Sequence, residues 1–387
     1  MSRLPQLDMI RGFAVLGLIL MNIYAFALPP PYSHSLHWSE GVSSLDTLLF
    51  SVQTLLLQGR FLTLFNLLFG VSLWLIYQRY GIAYVKRRLY WLALFGLLHG
   101  WLLWFGDILL WYALAGLFML YRGYLALDSA ALWRKARQFF VLGLLLPVFY
   151  AGYLWFDPTV ITPMDSDELL RQQQLWTGPY LAQVIENISF SGYYAISYLL
   201  SMFWYSLALM LSGIALFKTQ WFQRGFSPVV TAGLFAVGLL LSASIVYLDY
   251  RTDYFYDLNT ALPWSYLAEV LMALSFASAL IHLKQQPLLQ RWLIPCGRLA
   301  FSLYLTQTVL MVLLFRVLRP DWFASLDRLA LTAIALGMIA LQLLLSRWYL
   351  QRFQQGPLEL LWRHLSKQPA AVASAGNYHH SMDNNGQ

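Results

Sequence analysis

Runs of about twenty apolar residues recur along almost the whole chain, and this feature limits the fold more than any other. A helix needs a run of about that length to cross the hydrocarbon core of a bilayer. With 59% hydrophobic and only 11% charged residues, the chain is also far more apolar than a soluble domain. Because backbone groups must be paired with each other inside lipid, we predict an all-α polytopic membrane protein.

The apolar runs divide into ten predicted spans. Gly59-Arg60 splits a stretch that is too long for a single crossing into an amphipathic or re-entrant helix, at about 45–58, and a span that follows it. The third and fourth spans form a helical hairpin between Lys86 and Tyr121, which turns at Trp104–Asp107. The other spans are predicted at about 12–28, 61–78, 139–156, 193–217, 228–249, 263–283, 299–318 and 328–347.

A single transmembrane domain is predicted over residues 1–366. Its longest polar insert, at about 157–190, is expected to form a short helix on the outer face. Residues 367–387 are rich in Ala, Ser, Asn and His, so we predict a disordered cytoplasmic tail.

The basic residues are distributed so as to orient the chain in a bilayer. The first long connection carries no lysine or arginine, whereas the second carries Arg79, Lys86, Arg87 and Arg88. The positive-inside rule therefore predicts that both termini are cytoplasmic. Although the formal net charge is +7, the basic residues form no contiguous patch, so the expected partner is the lipid bilayer and not a nucleic acid.

The sequence has none of the common motifs of soluble enzymes. It contains no Walker loop, no dinucleotide-binding glycine motif, no His-Glu-x-x-His and no Gly-x-Ser-x-Gly. No spacing of His, Asp and Glu repeats on one helix face, and the single cysteine, Cys296, allows neither an internal disulfide nor a cysteine-based metal site. We therefore predict no metal and no tightly bound cofactor, and any chemistry has to come from polar residues within the spans or at their ends.

His99 is a candidate catalytic residue because of its depth. It lies 11 residues beyond Arg88, about 16 Å along a helix, or roughly halfway through a hydrocarbon layer of about 30 Å. A histidine there is either a satisfied hydrogen-bond donor between helices or a general base or transient acyl carrier. Asp107 is interpreted as the N-cap of the next helix. With the hairpin turn near residue 105, positions 111 and 112 are level with His99, so pairing with Asp107 needs a tilted or broken helix.

Three polar residues belong to the first span. Asp8 and Arg11 are three residues apart and share a helix face, and Asn22 lies three turns deeper. The pair either anchors the inner end of the helix, or Arg11 binds an anionic ligand, such as a phosphate, that enters from the cytoplasm.

The start of the ninth span carries a second set. Arg298 is a charge at the inner edge of the membrane. Tyr304 and Gln307 are hydrogen-bonding groups that suit interhelical contacts and a ligand pocket equally well.

Other polar residues are scattered among the remaining spans. Arg60 is expected at the outer interface or in a cavity, and Glu269 lies within the eighth span without an evident partner. Gly356-Pro357-Leu358-Glu359 with Trp362-Arg363 predicts an interfacial cytoplasmic helix whose aromatic and basic residues are membrane anchors.

Several of these residues belong to motifs that follow one another along the chain. The motifs are Leu7-Asp8-Met9-Ile10-Arg11-Gly12 with Asn22, Arg60-Phe61-Leu62-Thr63-Leu64-Phe65 with Leu68-Phe69-Gly70, Leu98-His99-Gly100 with Gly106-Asp107-Ile108-Leu109, Gly297-Arg298 with Tyr304-Leu305 and Gln307, and Gly356-Pro357-Leu358-Glu359 with Trp362-Arg363. They resemble, in order, the YeiB family of bacterial inner-membrane proteins over nearly the whole chain. That family is in turn similar to the transmembrane acyltransferase superfamily, which includes the heparan glucosaminide acetyltransferases and the bacterial surface-glycan O-acyltransferases.

The wider resemblance implies transfer of an acyl group from cytoplasmic acyl-CoA to a small-molecule or glycan acceptor on the far side of the bacterial inner membrane. Because a donor with several phosphates cannot cross the bilayer, the reactive histidine has to meet the thioester inside it. His99 at mid-depth would act as the base. Arg11, Arg87 and Arg298 at the inner mouth would bind the CoA phosphates.

The chain departs from that superfamily at one position. The glycan O-acyltransferases resemble this chain in carrying an arginine at the position of Arg11. Eleven residues later they have a histidine, whereas this chain has Asn22. An amide can polarise a thioester carbonyl but cannot act as a base. Either His99 has taken over that role, or the fold is kept without the chemistry. In the heparan-type relatives the histidine follows the first span, where His34 and His37 are interpreted here as exposed loop residues.

The sequence thus leads to a hypothesis with two alternatives. The hypothesis is acyl transfer with acyl-CoA as donor substrate; the alternatives are a transporter of a small polar solute, whose path the same residues line, and a non-catalytic membrane scaffold. The candidate catalytic residues are His99, Asp107 and Asn22. The candidate substrate-binding residues are Asp8, Arg11, Arg60, Arg87, Arg298, Tyr304 and Gln307.

Overall fold

A computed structural model describes residues 4–30, 33, 43–156, 166–252 and 262–367. Over these residues the chain is almost entirely helical and forms no strand. The loop residues His34 and His37 and the predicted tail beyond Lys367 lie outside the described residues. The helices are α1 (Pro5–Ala27), α2 (Ser44–Leu56), α3 (Arg60–Leu102), α4 (Leu109–Tyr121), α5 (Ser129–Phe156), α6 (Ser166–Thr177), α7 (Tyr180–Ser197), α8 (Phe203–Lys218), α9 (Trp221–Arg224), α10 (Pro228–Thr252), α11 (Pro263–His282), α12 (Pro287–Arg298), α13 (Ala300–Leu313), α14 (Arg328–Arg352) and α15 (Pro357–Ser366).

The prediction of an all-α polytopic membrane protein is confirmed. Within the described part of the chain, eight segments are long and apolar enough to cross a membrane. One of them, Ser44–Leu102, has 59 residues, and it is interrupted at Gly59 and Gly81, which both adopt φ near +75°. The 13-residue helix α4 is apolar but shorter than a usual span. With α3 divided at Gly81 and α4 included, every predicted span lies on helical structure, although the span at 193–217 runs from the end of α7 through the π-helical segment Tyr198–Met202 into α8.

Two boundaries differ from the prediction. Residues 287–298, which lie between the eighth and ninth predicted spans, form the helix α12. Pro287 occupies the first turn of that helix, where a missing N–H costs nothing. Helix α7 begins at Tyr180, inside the stretch predicted as polar insert, because its polar residues Gln183 and Asn187 are buried against neighbouring helices.

Glycines allow two helix pairs to pack backbone against backbone. A Cβ atom added to Gly297 of α12 would lie 1.8 Å from the Asp8 carbonyl oxygen, and one added to Gly12 of α1 would lie 1.9 Å from the Leu293 carbonyl oxygen. A Cβ atom added to Gly213 of α8 would lie 2.1 Å from the Leu67 carbonyl oxygen of α3. Small residues at helix contacts give membrane proteins much of their packing, since lipid competes for apolar side chains.

We use "basic face" for the end of the molecule that carries Arg11, Arg88, Arg298 and Arg363. Helix α15 lies there and caps the start of α13. Glu359 Oε1 accepts hydrogen bonds from the amides of Phe301 at 2.9 Å and Ser302 at 3.0 Å, and its Oε2 accepts one from Ser302 Oγ at 2.5 Å. First-turn amides have no partner in their own helix, and a carboxylate also suits the positive end of the helix dipole.

We expect Glu359→Gln to lower the free energy of unfolding by about 1–3 kcal/mol, because charge-assisted hydrogen bonds to two amides are lost or weakened. Thermal unfolding of the purified protein in detergent measures the change. Asp167→Asn, which neutralises an exposed carboxylate on α6, is the control and should leave the midpoint within a degree or so. An unchanged midpoint for Glu359→Gln would mean that the cap contributes nothing.

Candidate functional site

His99 and Asp107 form a buried hydrogen-bonded dyad. His99 Nδ1 lies 2.8 Å from Asp107 Oδ1, and the two residues are 3% and 7% exposed. The other carboxylate oxygen, Oδ2, accepts a hydrogen bond from the Leu110 amide at 2.8 Å. Asp107 therefore caps α4, as its sequence position indicates, and holds the imidazole at the same time.

The expectation that these residues lie at different levels of the hairpin is wrong. Residues 103–108 form a non-helical turn, so Asp107 folds back beside α3 instead of continuing a straight hairpin. Two glycines on α3 make room for it. Cβ atoms added to Gly96 and Gly100 would lie 2.7 Å from Asp107 Oδ2 and 3.3 Å from Asp107 Cβ, respectively. The two glycines flank His99 and allow the carboxylate to reach it.

Helix α13 completes the surroundings of the imidazole. Thr308 Oγ1 lies 2.9 Å from His99 Nε2. Tyr304, one turn earlier on the same face of α13, has its ring centroid 5.3 Å from that of His99. The Tyr304 hydroxyl is buried, and its polar neighbour is the Ile108 amide, whose N–H faces the hydroxyl oxygen. The O–H proton itself has no acceptor among the described residues.

A cavity of about 370 Å³ leads from the basic face to Tyr304. Its outer part shares Ile76, Arg88, Arg298 and Glu359 with a second cavity of about 410 Å³, which we call the vestibule. Its inner part is apolar and ends at side chains that separate it from His99. These end residues are Ile108, Leu109, Tyr112 and Tyr304.

Arg11 lies at the side of this cavity and is partly exposed. Its Nη1 donates to Asp8 Oδ1 at 2.9 Å and its Nη2 donates to Ser72 Oγ at 3.0 Å. The predicted Asp8–Arg11 contact on one helix face is therefore present, while the guanidinium also lines the cavity. The same geometry therefore allows Arg11 both to anchor the helix end through Asp8 and to contact a ligand in the cavity.

The structure places Arg88, and not the predicted Arg87, at the cavity. Arg87 Nη1 donates to the Lys367 carbonyl at 3.2 Å, and its side chain lines neither the cavity nor the vestibule. Arg88 lines both, and its Cζ lies 3.4 Å from the centroid of the Trp362 ring. Two adjacent arginines on a helix point about 100° apart, so the sequence alone does not select between them. Arg298 also lines both cavities and donates to the Gln354 carbonyl at 2.5 Å.

Arg60 belongs to a separate buried cluster. It is 1% exposed, and its guanidinium donates to the Leu55 carbonyl at 3.1 Å and to the Gln58 carbonyl and Ser242 Oγ. The carboxylate of Glu269 lies against Gly59 and accepts a hydrogen bond from the Tyr205 hydroxyl at 3.1 Å. None of these side chains lines the cavity that leads to Tyr304. These contacts stabilise the first turn of α3, which follows the helix break at Gly59.

Gln307 and Asn22 stand apart from the cavity. Gln307 Nε2 donates to the Val15 carbonyl at 2.9 Å and to Gln342 Oε1 at 2.8 Å, so it joins α1, α13 and α14. Of the two interpretations that the sequence left open, the geometry favours the interhelical contact. The Asn22 side chain makes no hydrogen bond with the described residues and does not line the cavity.

Aromatic side chains pack around the turn next to Asp107. Phe105, in the turn next to Asp107, stacks on Tyr194 at 5.9 Å between centroids and contacts Phe190 at 5.2 Å and Trp176 at 6.1 Å. Trp104 packs on the end of α1, and the Phe105 amide donates to Asn187 Oδ1 at 3.2 Å. We call Trp104, Phe105, Trp176, Phe190 and Tyr194 the aromatic layer.

Thr308 and Ser72 are site residues that sequence reasoning did not select. Ser72 hydrogen-bonds Arg11, and Thr308 hydrogen-bonds His99. A signal for Thr308 exists, since it follows Tyr304 by four residues and the pair marks one polar stripe on an apolar helix. No comparable pattern surrounds Ser72.

Comparison with known proteins places the chain among relatives of the same length. Residues 214–368 match the family described as "Protein of unknown function (DUF418)". The chain is 31% identical over 386 residues to "Uncharacterized protein YeiB" of Escherichia coli (strain K12), covering 96% of this chain and 98% of that protein. It is 27% identical over 421 residues to "Uncharacterized protein YxaH" of Bacillus subtilis (strain 168), covering 96% of each. No solved structure matches the chain.

Proposed function

This chain belongs to the YeiB family of membrane proteins, and we propose that it is a transmembrane acyltransferase that takes its acyl group from cytoplasmic acyl-CoA. One observation carries the proposal. An arginine-lined cavity leads from the basic face to Tyr304, whose ring contacts the imidazole of the buried His99–Asp107 dyad. This arrangement joins a site for an anion to a site for general base chemistry.

The vestibule and the cavity suit the two ends of an acyl-CoA. Arg88, Arg298 and Arg363 line the vestibule, where they can bind phosphates. The neighbouring rings of Tyr80 and Tyr84, with centroids 4.7 Å apart and planes tilted by 33°, offer a surface for an adenine base. The apolar inner part of the cavity can hold the pantetheine and acyl chain. A donor bound this way has its thioester directed towards Tyr304.

The dyad supplies the base. Asp107 accepts the Nδ1–H of His99, which leaves the Nε2 lone pair directed towards α13. His99 Nε2 takes the proton of a hydroxyl as its oxygen bonds to the thioester carbonyl carbon; the C–S bond then breaks, and the thiolate leaves with that proton. The Tyr304 O–H, which has no acceptor among the described residues, can donate to the carbonyl oxygen as negative charge develops there.

A transporter of a small polar solute is the second candidate, supported by one feature. A cavity that opens at the basic face and ends inside the protein at Tyr304 is the arrangement expected of one state of an alternating-access cycle. Purified protein in liposomes separates the two functions. Release of CoA thiol from acetyl-, hexanoyl- or palmitoyl-CoA supports the enzyme. Solute flux without thiol release from any of the three contradicts it and supports the transporter.

We expect Arg298→Gln to raise the KM for acyl-CoA by about 10–100-fold with little change in kcat, because one charge-assisted contact to a phosphate is worth about 1.5–3 kcal/mol. Steady-state release of CoA thiol measures both constants. Arg291→Gln is the matched control, since Arg291 lies on the same helix α12, is exposed and does not line the cavity. Equal KM values for the two variants would remove Arg298 from the donor site.

A further inference from the structure

Thr308 is aligned with the dyad as the nucleophile of a catalytic triad is aligned. Its Oγ1 lies 2.9 Å from His99 Nε2, and His99 Nδ1 lies 2.8 Å from Asp107 Oδ1. The three groups therefore form a continuous hydroxyl–imidazole–carboxylate chain, which activates serine and threonine nucleophiles on unrelated folds. Thr308 is 1% exposed, so water does not compete for this hydrogen bond.

The direction of the hydrogen bonds favours a reactive hydroxyl. Because Asp107 accepts the Nδ1–H proton, His99 Nε2 is an acceptor and the Thr308 hydroxyl is its donor. A threonine in a membrane helix usually returns its hydroxyl to the carbonyl one turn earlier, as Thr306 does to Ser302 at 2.7 Å. Thr308 is directed at an imidazole instead.

We propose that Thr308 is the covalent acyl carrier of this enzyme, so that transfer occurs in two steps. The inference rests on the proposed acyltransferase function. Tyr304 lies one turn from Thr308 and lines the end of the cavity, so a rotation of its side chain brings a thioester in the cavity within reach of Thr308 Oγ1. The rotation moves the Tyr304 hydroxyl away from the Ile108 amide that faces it and breaks no side-chain hydrogen bond among the described residues.

Both steps conserve atoms and protons with only Thr308, His99, the acyl-CoA and the acceptor hydroxyl taking part. In the first, Thr308 Oγ1 bonds to the thioester carbonyl carbon as its proton passes to His99 Nε2; the C–S bond breaks, and the CoA thiolate leaves with the proton. In the second, the acceptor hydroxyl attacks the threonine ester as His99 takes its proton. The bond from the acyl carbon to Thr308 Oγ1 breaks, and the proton returns to Thr308.

A carrier explains how donor and acceptor use one site from opposite faces. CoA can leave through the basic face before the acceptor enters, because the acyl group stays on the protein. A direct transfer would need both molecules in the cavity at once, with both sides of the membrane open to it.

Acyl-enzyme trapping tests the carrier. Wild-type protein in nanodiscs is incubated with ¹⁴C-acetyl-CoA without acceptor, precipitated in acid and digested for mass spectrometry. We expect up to one acetyl group per chain on the peptide that contains Thr308. An ester of threonine survives neutral hydroxylamine, whereas an acetyl group on the His99 imidazole does not.

Three variants separate a carrier from a structural hydrogen bond. Thr308→Val keeps the volume and removes the hydroxyl, so we expect no label and a fall of at least about 10³-fold in kcat. Thr308→Ser should restore label and part of the activity, and Thr306→Val, which alters the neighbouring exposed threonine, should behave as wild type. A merely structural contact would predict a lower unfolding midpoint with kcat preserved.

The outcomes are distinguishable. Thiol release by wild type together with full activity of Thr308→Val, or with label on His99, overturns the carrier and leaves the acyltransferase intact. Absence of thiol release from wild type overturns the proposed function and the carrier with it.

Discussion

His99→Gln is expected to lower CoA release from acyl-CoA by at least about 10³-fold. Glutamine can fill much of the same space and can hydrogen-bond both Asp107 and Thr308, but its amide cannot take a proton at neutral pH. The variant loses the proposed general base and therefore the activation of the attacking hydroxyl. We expect the chemical step to be lost and the binding of the donor to be kept. The rate of CoA thiol release by the protein in nanodiscs, measured over a range of acyl-CoA concentrations, gives kcat and KM.

The control for this variant is a second histidine. His364→Gln alters an exposed residue of α15 at the basic face, away from the dyad, and should retain wild-type kcat. The KM of His99→Gln should also stay within a few-fold of wild type, since the arginines of the vestibule are untouched. A kcat for His99→Gln within tenfold of wild type would exclude His99 as the base.

Gly297→Ala is expected to prevent normal assembly of the helices, and it is the largest effect on stability that we expect. The added Cβ would lie 1.8 Å from the Asp8 carbonyl oxygen and 2.9 Å from the Gly12 amide nitrogen. Both contacts are with backbone, which cannot rotate aside, so α1 and α12 have to separate. We expect a loss of about 3 kcal/mol or more in the free energy of unfolding, or no folded protein. Size-exclusion chromatography and thermal unfolding in detergent measure the outcome.

Gly337→Ala is the matched control for this change. Gly337 lies in the membrane helix α14, and a Cβ atom added to it meets nothing within 4 Å. Alanine is about 1 kcal/mol more favourable than glycine within a helix, so this variant should unfold at the same or a higher temperature. Equal midpoints for the two variants would show that the α1–α12 contact adjusts freely.

The features that the sequence predicted well depend on local composition. Apolar run length locates the helices, and the three-residue spacing of Asp8 and Arg11 predicts their ion pair, found at 2.9 Å. The capping role of Asp107 likewise follows from its position after Gly106 at the start of a helix. Each of these features depends on residues within one or two turns of one another.

The features that the sequence did not predict depend on how separate segments meet. The contact of His99 with Asp107 depends on the path of the turn at 103–108 and on the space beside Gly96 and Gly100. The assignment of Arg88 to the cavity depends on the rotation of α3 about its own axis. The partner of His99 Nε2, Thr308, is 209 residues away in the chain. Hydropathy and spacing contain none of this information.

The packing of Phe105, Phe190 and Tyr194 matters for the proton gradient of the cell as well as for the proposed reaction. A bacterial membrane stores a proton gradient, and a continuous column of water through a protein would discharge it faster than respiration rebuilds it. Rings packed against one another beside the dyad leave no space for such a column between them. Under the proposed function, the cavity at the basic face can therefore stay open to water without short-circuiting the membrane.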